Sequence, residues 1–314
     1  MPLHRLTSVT IGVPNVAETA AYYTEFGLTP QQDGWFGSRE GGRQLRIVHS
    51  LMRRLVEVRV GADDTDDITR VGDGLRRLGI ESARGPHSIT AVEKATGVRA
   101  TVEVGPRVTQ VPARAVAYNG PGRIERTGAR APGVLRTERV QPRKLGHTVL
   151  GTTDLAVTRA FFLEGLGFKL SDTIKDVGAF MRCSTDHHNV LVLQAPVGFL
   201  HHTSWQVDDI DEVGRGASAM LKDHPERHIW GLGRHHAGSN FFWYLKDPAG
   251  NFSEYYSDLD CIVDDYRWTP ETFEGAQGPV QLGSAATTVL SRPRRPRRPH
   301  DRTPQQRVND GFQD

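Results

Sequence analysis

A chain of 314 residues with 37% hydrophobic and 24% charged residues has the make-up of a folded globular protein with room for two domains. A formal net charge of +2 gives no broad basic field to attract nucleic acid, and no run approaches the ~20 apolar residues of a membrane helix. Two distant cysteines, Cys183 and Cys261, fit no metal or redox spacing, and "MPLHRLTSVTIGVP" lacks the plan of a secretory signal, so a cytoplasmic location is expected.

Taken in chain order, the predicted elements repeat. "LTSVTIGVPNVAETAAYYTEFGL" predicts a strand, a turn at Pro14–Asn15 and a helix carrying the pair Tyr22–Tyr23. "LVEVRVGADDTDDITRVGDGLRRLG", from Leu55, predicts a strand, an acidic turn and a second helix. From Leu145, "LGHTVLGTTDLAVTRAFFLEGLGF" restates the first unit at an offset of 139 residues, with Phe161–Phe162 for the tyrosine pair. "HHTSWQVDDIDEVGRGASAMLKD", from His201, restates the second. "GAFMRCS" and "NVLVLQA" alternate as antiparallel strands do. Four units starting near residues 6, 53, 145 and 200 imply an α+β chain of two tandem domains, each built from two βαβββ units. Residues 1–118 are expected to form the first domain, 119–144 a connection rich in Gly, Pro and Arg, and 145–277 the second. Residues 278–314, which include "SRPRRPRRPHDRTPQQRVNDGFQD", have almost nothing to bury and read as a disordered basic tail.

Nine of the 13 histidines fall between positions 147 and 236. His147 and His202 hold matching places in the first strands of the last two units, each seven residues before an aspartate (Asp154, Asp209). The corresponding positions in the first domain are Ser8 and about Leu55. Glu254 is a lone carboxylate in the aromatic strand of "FFWYLKDPAGNFSEYYS", and its counterpart is about Thr101. A solvated strand face is the plain reading of such a carboxylate. The joint presence of all three residues in one copy, and their joint absence from the other, favours a shared role as metal ligands. Two imidazoles and one carboxylate on separate strands make the facial set associated with non-haem Fe(II), and Zn²⁺ accepts the same donors. A hairpin centred on Ala249 places Tyr244 opposite Glu254, with Phe242 and Tyr256 on the same face, and His235 lies nine residues before Tyr244.

"LGHTVL", "LHHTSWQVDD", "CSTDHHNVLVLQ" and "GRHHAGSNFFWYLKDPAGNFSEYY" resemble the type I extradiol ring-cleavage dioxygenases of the vicinal oxygen chelate superfamily, over about residues 5–270 and most specifically over 145–257. The resemblance implies tandem vicinal-oxygen-chelate (glyoxalase/dioxygenase-like) domains, each curled into an incomplete barrel. It places Fe(II), with Mn(II) as the alternative, on His147, His202 and Glu254. It makes Tyr244 and His235 hydrogen-bonding residues of the active site. The acid–base histidine falls on the doublet His187–His188, and His188 is preferred because "HNVLVL" matches the family's run. His201 falls behind the ligands, and Ser239 stands where some relatives carry His or Asp.

The implied reaction is meta cleavage of a catechol-type diol by O₂, in a protein whose relatives often assemble as homo-oligomers. An isomerase or hydrolase on this scaffold usually needs a second carboxylate where His147 stands, and a metal-free binding protein is the third reading. His224 and His228 read as loop residues and His236 as structural or pocket-lining. Trp205 and Trp243 are expected to pack the other face of the sheet. Phe180, Phe242, Phe252 and Tyr256 are candidate pocket walls.

Overall fold

The computed structural model describes residues 2–274; the tail expected over 278–314 lies outside the described residues. The first half begins with β1 (Leu3–Val13), α1 (Val16–Glu25), β2 (Thr29–Pro30), β3 (Trp35–Ser38) and β4 (Gly42–His49). β5 (Arg54–Ala62), α2 (Thr65–Arg77), β6 (Ser82–Arg84), β7 (Ser88–Val92) and β8 (Arg99–Val104) restate that βαβββ plan. A connection containing one short helix, α3 (Pro132–Leu135), leads to β9 (Lys144–Thr152), α4 (Leu155–Ala160), β10 (Lys169–Ile174), β11 (Gly178–Arg182) and β12 (Val190–Gln194). The last unit comprises β13 (Phe199–Gln206), α5 (Ile210–Leu221), β14 (His228–Arg234), β15 (Phe241–Lys246) and β16 (Phe252–Ser257), and β17 (Thr272–Phe273) adds an edge strand.

The first sheet runs β2-β3-β4-β1-β5-β8-β7-β6, and the second runs β14-β15-β16-β13-β9-β12-β11-β10-β17. In each unit the first strand lies innermost, so β1 meets β5, and β9 meets β13, as antiparallel pairs at the centre of a sheet. This is the expected fold class. Residues on the innermost strands are buried on both faces, which explains why β1 and β9 are almost uninterruptedly buried.

The acidic residues after β5, β9 and β13 are helix caps. Asp154 accepts from Val157 N–H and Asp209 from Glu212 N–H, both at 3.0 Å, and Asp64 forms a capping box with Asp67 on α2. A cap must stand at a fixed distance from its strand, which accounts for the constant spacing seen in the sequence. The helix after β9 is regular only to Ala160, and Phe161–Gly165 continue it as one wider π turn that seats Phe161 and Phe162 in the core.

The two halves meet behind β16. Tyr22 and Ser253 share a hydrogen bond of 2.6 Å, Tyr255 stacks on Phe26 at 3.9 Å and donates to its carbonyl, and Arg53 donates to the Gly250 carbonyl at 2.6 Å. No helix among the described residues is long and apolar enough to cross a membrane.

Candidate metal centre

Three neighbouring strands build the site. Ser204, on β13, pairs with His147 on β9 and with Glu254 on β16, so the two lie in one cross-strand row. His202 stands two residues before Ser204 and therefore shares its face. The row is closely packed: Tyr256 lies over Gly146, where a Cβ would sit 2.0 Å from the phenol oxygen. A glycine before His147 is thus a steric requirement of this wall.

His147 Nε2 lies 3.1 Å from Glu254 Oε2 and His202 Nε2 lies 3.3 Å from the same oxygen. The three donor atoms fall within 4.8 Å of one another, and all three residues are buried. Donors held ~2.0–2.2 Å from one centre at near-octahedral or tetrahedral angles stand roughly 3.0–3.4 Å apart, so both short separations suit a shared cation. His202 Nε2 is misaligned for hydrogen bonding to Glu254 and is left without a partner. Among the described residues, no other group of three His, Cys, Asp or Glu side chains converges in this way.

Electrostatics point the same way. Burial alone would raise the Glu254 carboxyl, yet His147 and His202 hold it well below the usual carboxylate range. Burial lowers His202 to about 4 against the pull of Glu254, and lowers His201 to about 3. His188 is held well below its ordinary value, by burial first and then by the surrounding histidines. An anionic carboxylate beside His202, whose imidazole resists protonation, suits the binding of a cation.

Around this cluster stand the other residues singled out in the sequence. Tyr244 pairs with Glu254 across the β15–β16 hairpin and Phe242 pairs with Tyr256, the register expected from a turn centred on Ala249. His235 Nε2 is 2.9 Å from Tyr244 OH and 3.8 Å from Glu254 Oε1. The Tyr244 phenol is raised well above its ordinary value by burial and by Glu254, so it stays a proton donor. Phe242 stacks on His235 at 3.9 Å, and Phe180 meets His188 edge-on at 5.1 Å. His188 lies 4.2 Å from His147, ring to ring. His187 instead turns towards Asp172, at 2.8 Å. His201 and His202 face each other through their Nδ1 atoms at 2.7 Å, and Phe252 packs edge-on against His201.

The remaining residues lie away from the cluster. His224 pairs with Glu226, His228 accepts from Trp243, His236 packs on Phe273, and Ser239 donates to Asp260. Trp205 is wholly buried in the core. Sequence reasoning missed Asn240, which donates to Glu254 Oε1 at 3.2 Å, and Asp172. It also missed Trp230, which stacks on Tyr244 and packs at a tilt against Phe242.

The first sheet corrects one assignment. Ser8 pairs with Arg59, which pairs with Thr101, matching the row His147–Ser204–Glu254. The counterpart of His202, two residues before the central member, is therefore Glu57 and not Leu55. Counted from the helix cap, Glu57 stands seven residues before Asp64 just as His202 stands seven residues before Asp209. Glu57 accepts a hydrogen bond from Thr101 at 2.7 Å, so the early copy holds a polar pair where the later one holds imidazole and carboxylate.

Comparison with known proteins follows the same lines. Residues 144–255 match the family model described as Glyoxalase/Bleomycin resistance protein/Dioxygenase superfamily. The chain is 35% identical over 187 residues to Metapyrocatechase 2 of Cupriavidus necator, covering 58% of this chain and 56% of that protein. It spans about half the length of the curated relatives it matches first. The Mn(II)-bound glyoxalase from Novosphingobium aromaticivorans superposes with a TM-score of 0.72 at 24% identity, covering 93% of this chain and 95% of that one. BphC, a halotolerant catechol dioxygenase, superposes with a TM-score of 0.71 at 20% identity, covering 92% and 97%. The fold is therefore shared along nearly the whole described chain, and within it residues 144–255 carry the match to the Glyoxalase/Bleomycin resistance protein/Dioxygenase superfamily model.

Proposed function

We propose that this protein is an extradiol dioxygenase that opens a catechol-type ring beside its paired hydroxyls with O₂. His147, His202 and Glu254 are assigned as the ligands of one divalent metal ion, with Fe(II) the preferred ion and Mn(II) the alternative. The observation that carries the reading is the convergence of these three buried side chains on one point, with a shared carboxylate oxygen 3.1 and 3.3 Å from two imidazole nitrogens. The names of the similar proteins, a metapyrocatechase and a catechol dioxygenase among them, support the substrate class.

When bound, the metal supplies the redox chemistry that couples a catechol to O₂. The chain's own residues prepare the substrate. His188 is neutral near pH 7 and is assigned as the base that takes a hydroxyl proton and later returns one, a role suited to imidazole. Tyr244, kept protonated, donates to an oxygen of the bound diol, and His235 steadies that phenol from 2.9 Å. Asn240 holds the outer oxygen of Glu254 and leaves the inner one to the histidines. Phe242, Trp230 and Phe180 wall the space with aromatic surface, which excludes water from a flat substrate.

The test is anaerobic loading with Fe(II) or Mn(II) in separate arms, followed by catechol and substituted catechols in air. The expected result is a yellow ring-opened product with one O₂ consumed per ring. A loaded enzyme that consumes no O₂ with any catechol, yet isomerises a thiohemiacetal, overturns the reading in favour of glyoxalase chemistry.

A further inference from the structure

Behind His188 lies a buried chain that the proposed ligands do not require. His188 Nδ1 is 3.0 Å from His187 Nδ1, and His187 Nε2 is 2.8 Å from Asp172 Oδ2. Both imidazoles and the carboxyl are buried, with His187 wholly so. Asp172 Oδ1 accepts from the Glu271 backbone N–H at 2.8 Å. His187 is itself fixed: its N–H donates to the Asp260 carbonyl at 2.8 Å, its carbonyl accepts from Ser171, and Trp268 meets its ring edge-on. Gly238 closes over the doublet, and a Cβ there, at a φ of +81°, would stand 3.1 Å from His187 Nδ1.

We propose that Asp172 and His187 are positioning residues that lock His188 in its Nδ1–H tautomer, leaving Nε2 as a lone pair on a ring that packs 4.2 Å from that of His147. The argument is one of proton counting. A carboxylate is acceptor only, so the bond to Asp172 uses the proton of His187 Nε2. A His187 that carries one ring proton then has only a lone pair at Nδ1. Two ring nitrogens 3.0 Å apart need one proton between them, so His188 supplies it from Nδ1. Its remaining nitrogen is unprotonated by necessity. A proton gained at Nε2 gives an imidazolium whose Nδ1–H still points along the chain, so no proton has to move through His187. The inference rests on the reading of His188 as the base for its functional meaning, while the tautomer stands on these distances and on one ring proton at His187.

Asp172→Asn is the decisive variant. The Glu271 N–H demands an acceptor at the Oδ1 position, so an asparagine there turns its NH₂ towards His187 Nε2. His187 is then driven to its Nδ1–H form and His188 to the Nε2–H form, the wrong one for a base. ¹⁵N-histidine spectra of the metal-free protein report each tautomer directly, without need of turnover. The expected result is Nδ1–H at His188 in the wild type and Nε2–H in the variant. Alongside, kcat should fall by at least about 10²-fold, with KM and metal affinity held within a few-fold. An Nε2–H His188 or a doubly protonated His187 in the wild type overturns the proposal, as does an Asp172→Asn variant with unchanged spectra and kcat. Tautomers as expected in a protein that turns over no catechol would uphold the chain and sink the dioxygenase reading.

Discussion

Gly146→Ala tests the wall beside His147. The added methyl would meet Tyr256 at 2.0 Å from the phenol oxygen and 2.5 Å from each of two ring carbons. Ordinary contacts between such atoms run ~3.5–4.0 Å, so relief requires a movement of roughly 1–2 Å. Neither partner has room to give: Tyr256 is wholly buried, and β9 is hydrogen-bonded to a neighbour on each side. Overpacking of this kind costs ~1–3 kcal/mol, and three contacts this short place the loss at the upper end. Because residue 147 is next in the chain, metal affinity should also weaken, by about 10–100-fold as for other disturbed ligand supports.

The assay is urea denaturation of the metal-free protein beside a metal titration. Tyr256→Phe supplies the control. The Tyr256 hydroxyl has no hydrogen-bond partner, so its removal alone should change little. Combined with Gly146→Ala it should recover only part of the loss, since the two carbon contacts persist. A Gly146→Ala protein within ~0.5 kcal/mol of wild type, the ordinary range for neutral substitutions, and with unaltered metal affinity, would show that Tyr256 does not brace the ligand strand.

Other outcomes bear on the rest of the site. Glu254→Gln should abolish stoichiometric metal binding in equilibrium dialysis, while Ser8→Ala, at the corresponding place in the first sheet, should bind as wild type; equal binding by both variants would remove Glu254 from the ligand set. His188→Phe should keep its metal but turn over catechol at least about 10²-fold more slowly, and an unchanged rate would assign the proton transfer elsewhere. Asp208 is raised by burial but more strongly lowered by Arg143 and Arg39, to below its ordinary 3.8. Its stabilisation is therefore complete above pH 3.8 and is lost as pH falls through the lower folded value, so Asp208→Asn should lower stability at neutral pH and flatten the acid limb of a stability–pH curve. A limb of unchanged slope would show that the two arginines do not hold this carboxylate.

Much of the site could be read before the structure because the chain contains its own control. The pairing of Tyr244 with Glu254 follows from a short turn, since two residues equidistant from Ala249 must face each other. The βαβββ plan was equally legible, because strand, cap and amphipathic helix each leave a periodic trace. What stayed hidden depends on irregular or distant contacts. Asp172 reaches His187 from another strand, and Asn240 reaches Glu254 from a loop, with no local pattern to announce either. The same holds for the directions of the His187 ring, towards Asp172, and the His188 ring, towards His147, which spacing left open.

The contacts of Tyr22, Phe26 and Arg53 with Ser253, Tyr255 and Gly250 give the ligand-poor half a second occupation. Ser253 and Tyr255 flank Glu254 in sequence and point away from it, so the earlier copy grips the acidic strand from its far side. Chimaeras that graft the later copy onto a foreign partner must therefore import both members of each of these couples. One that mates the graft with a mismatched neighbour should stay folded in its own sheet and yet let the carboxylate wander.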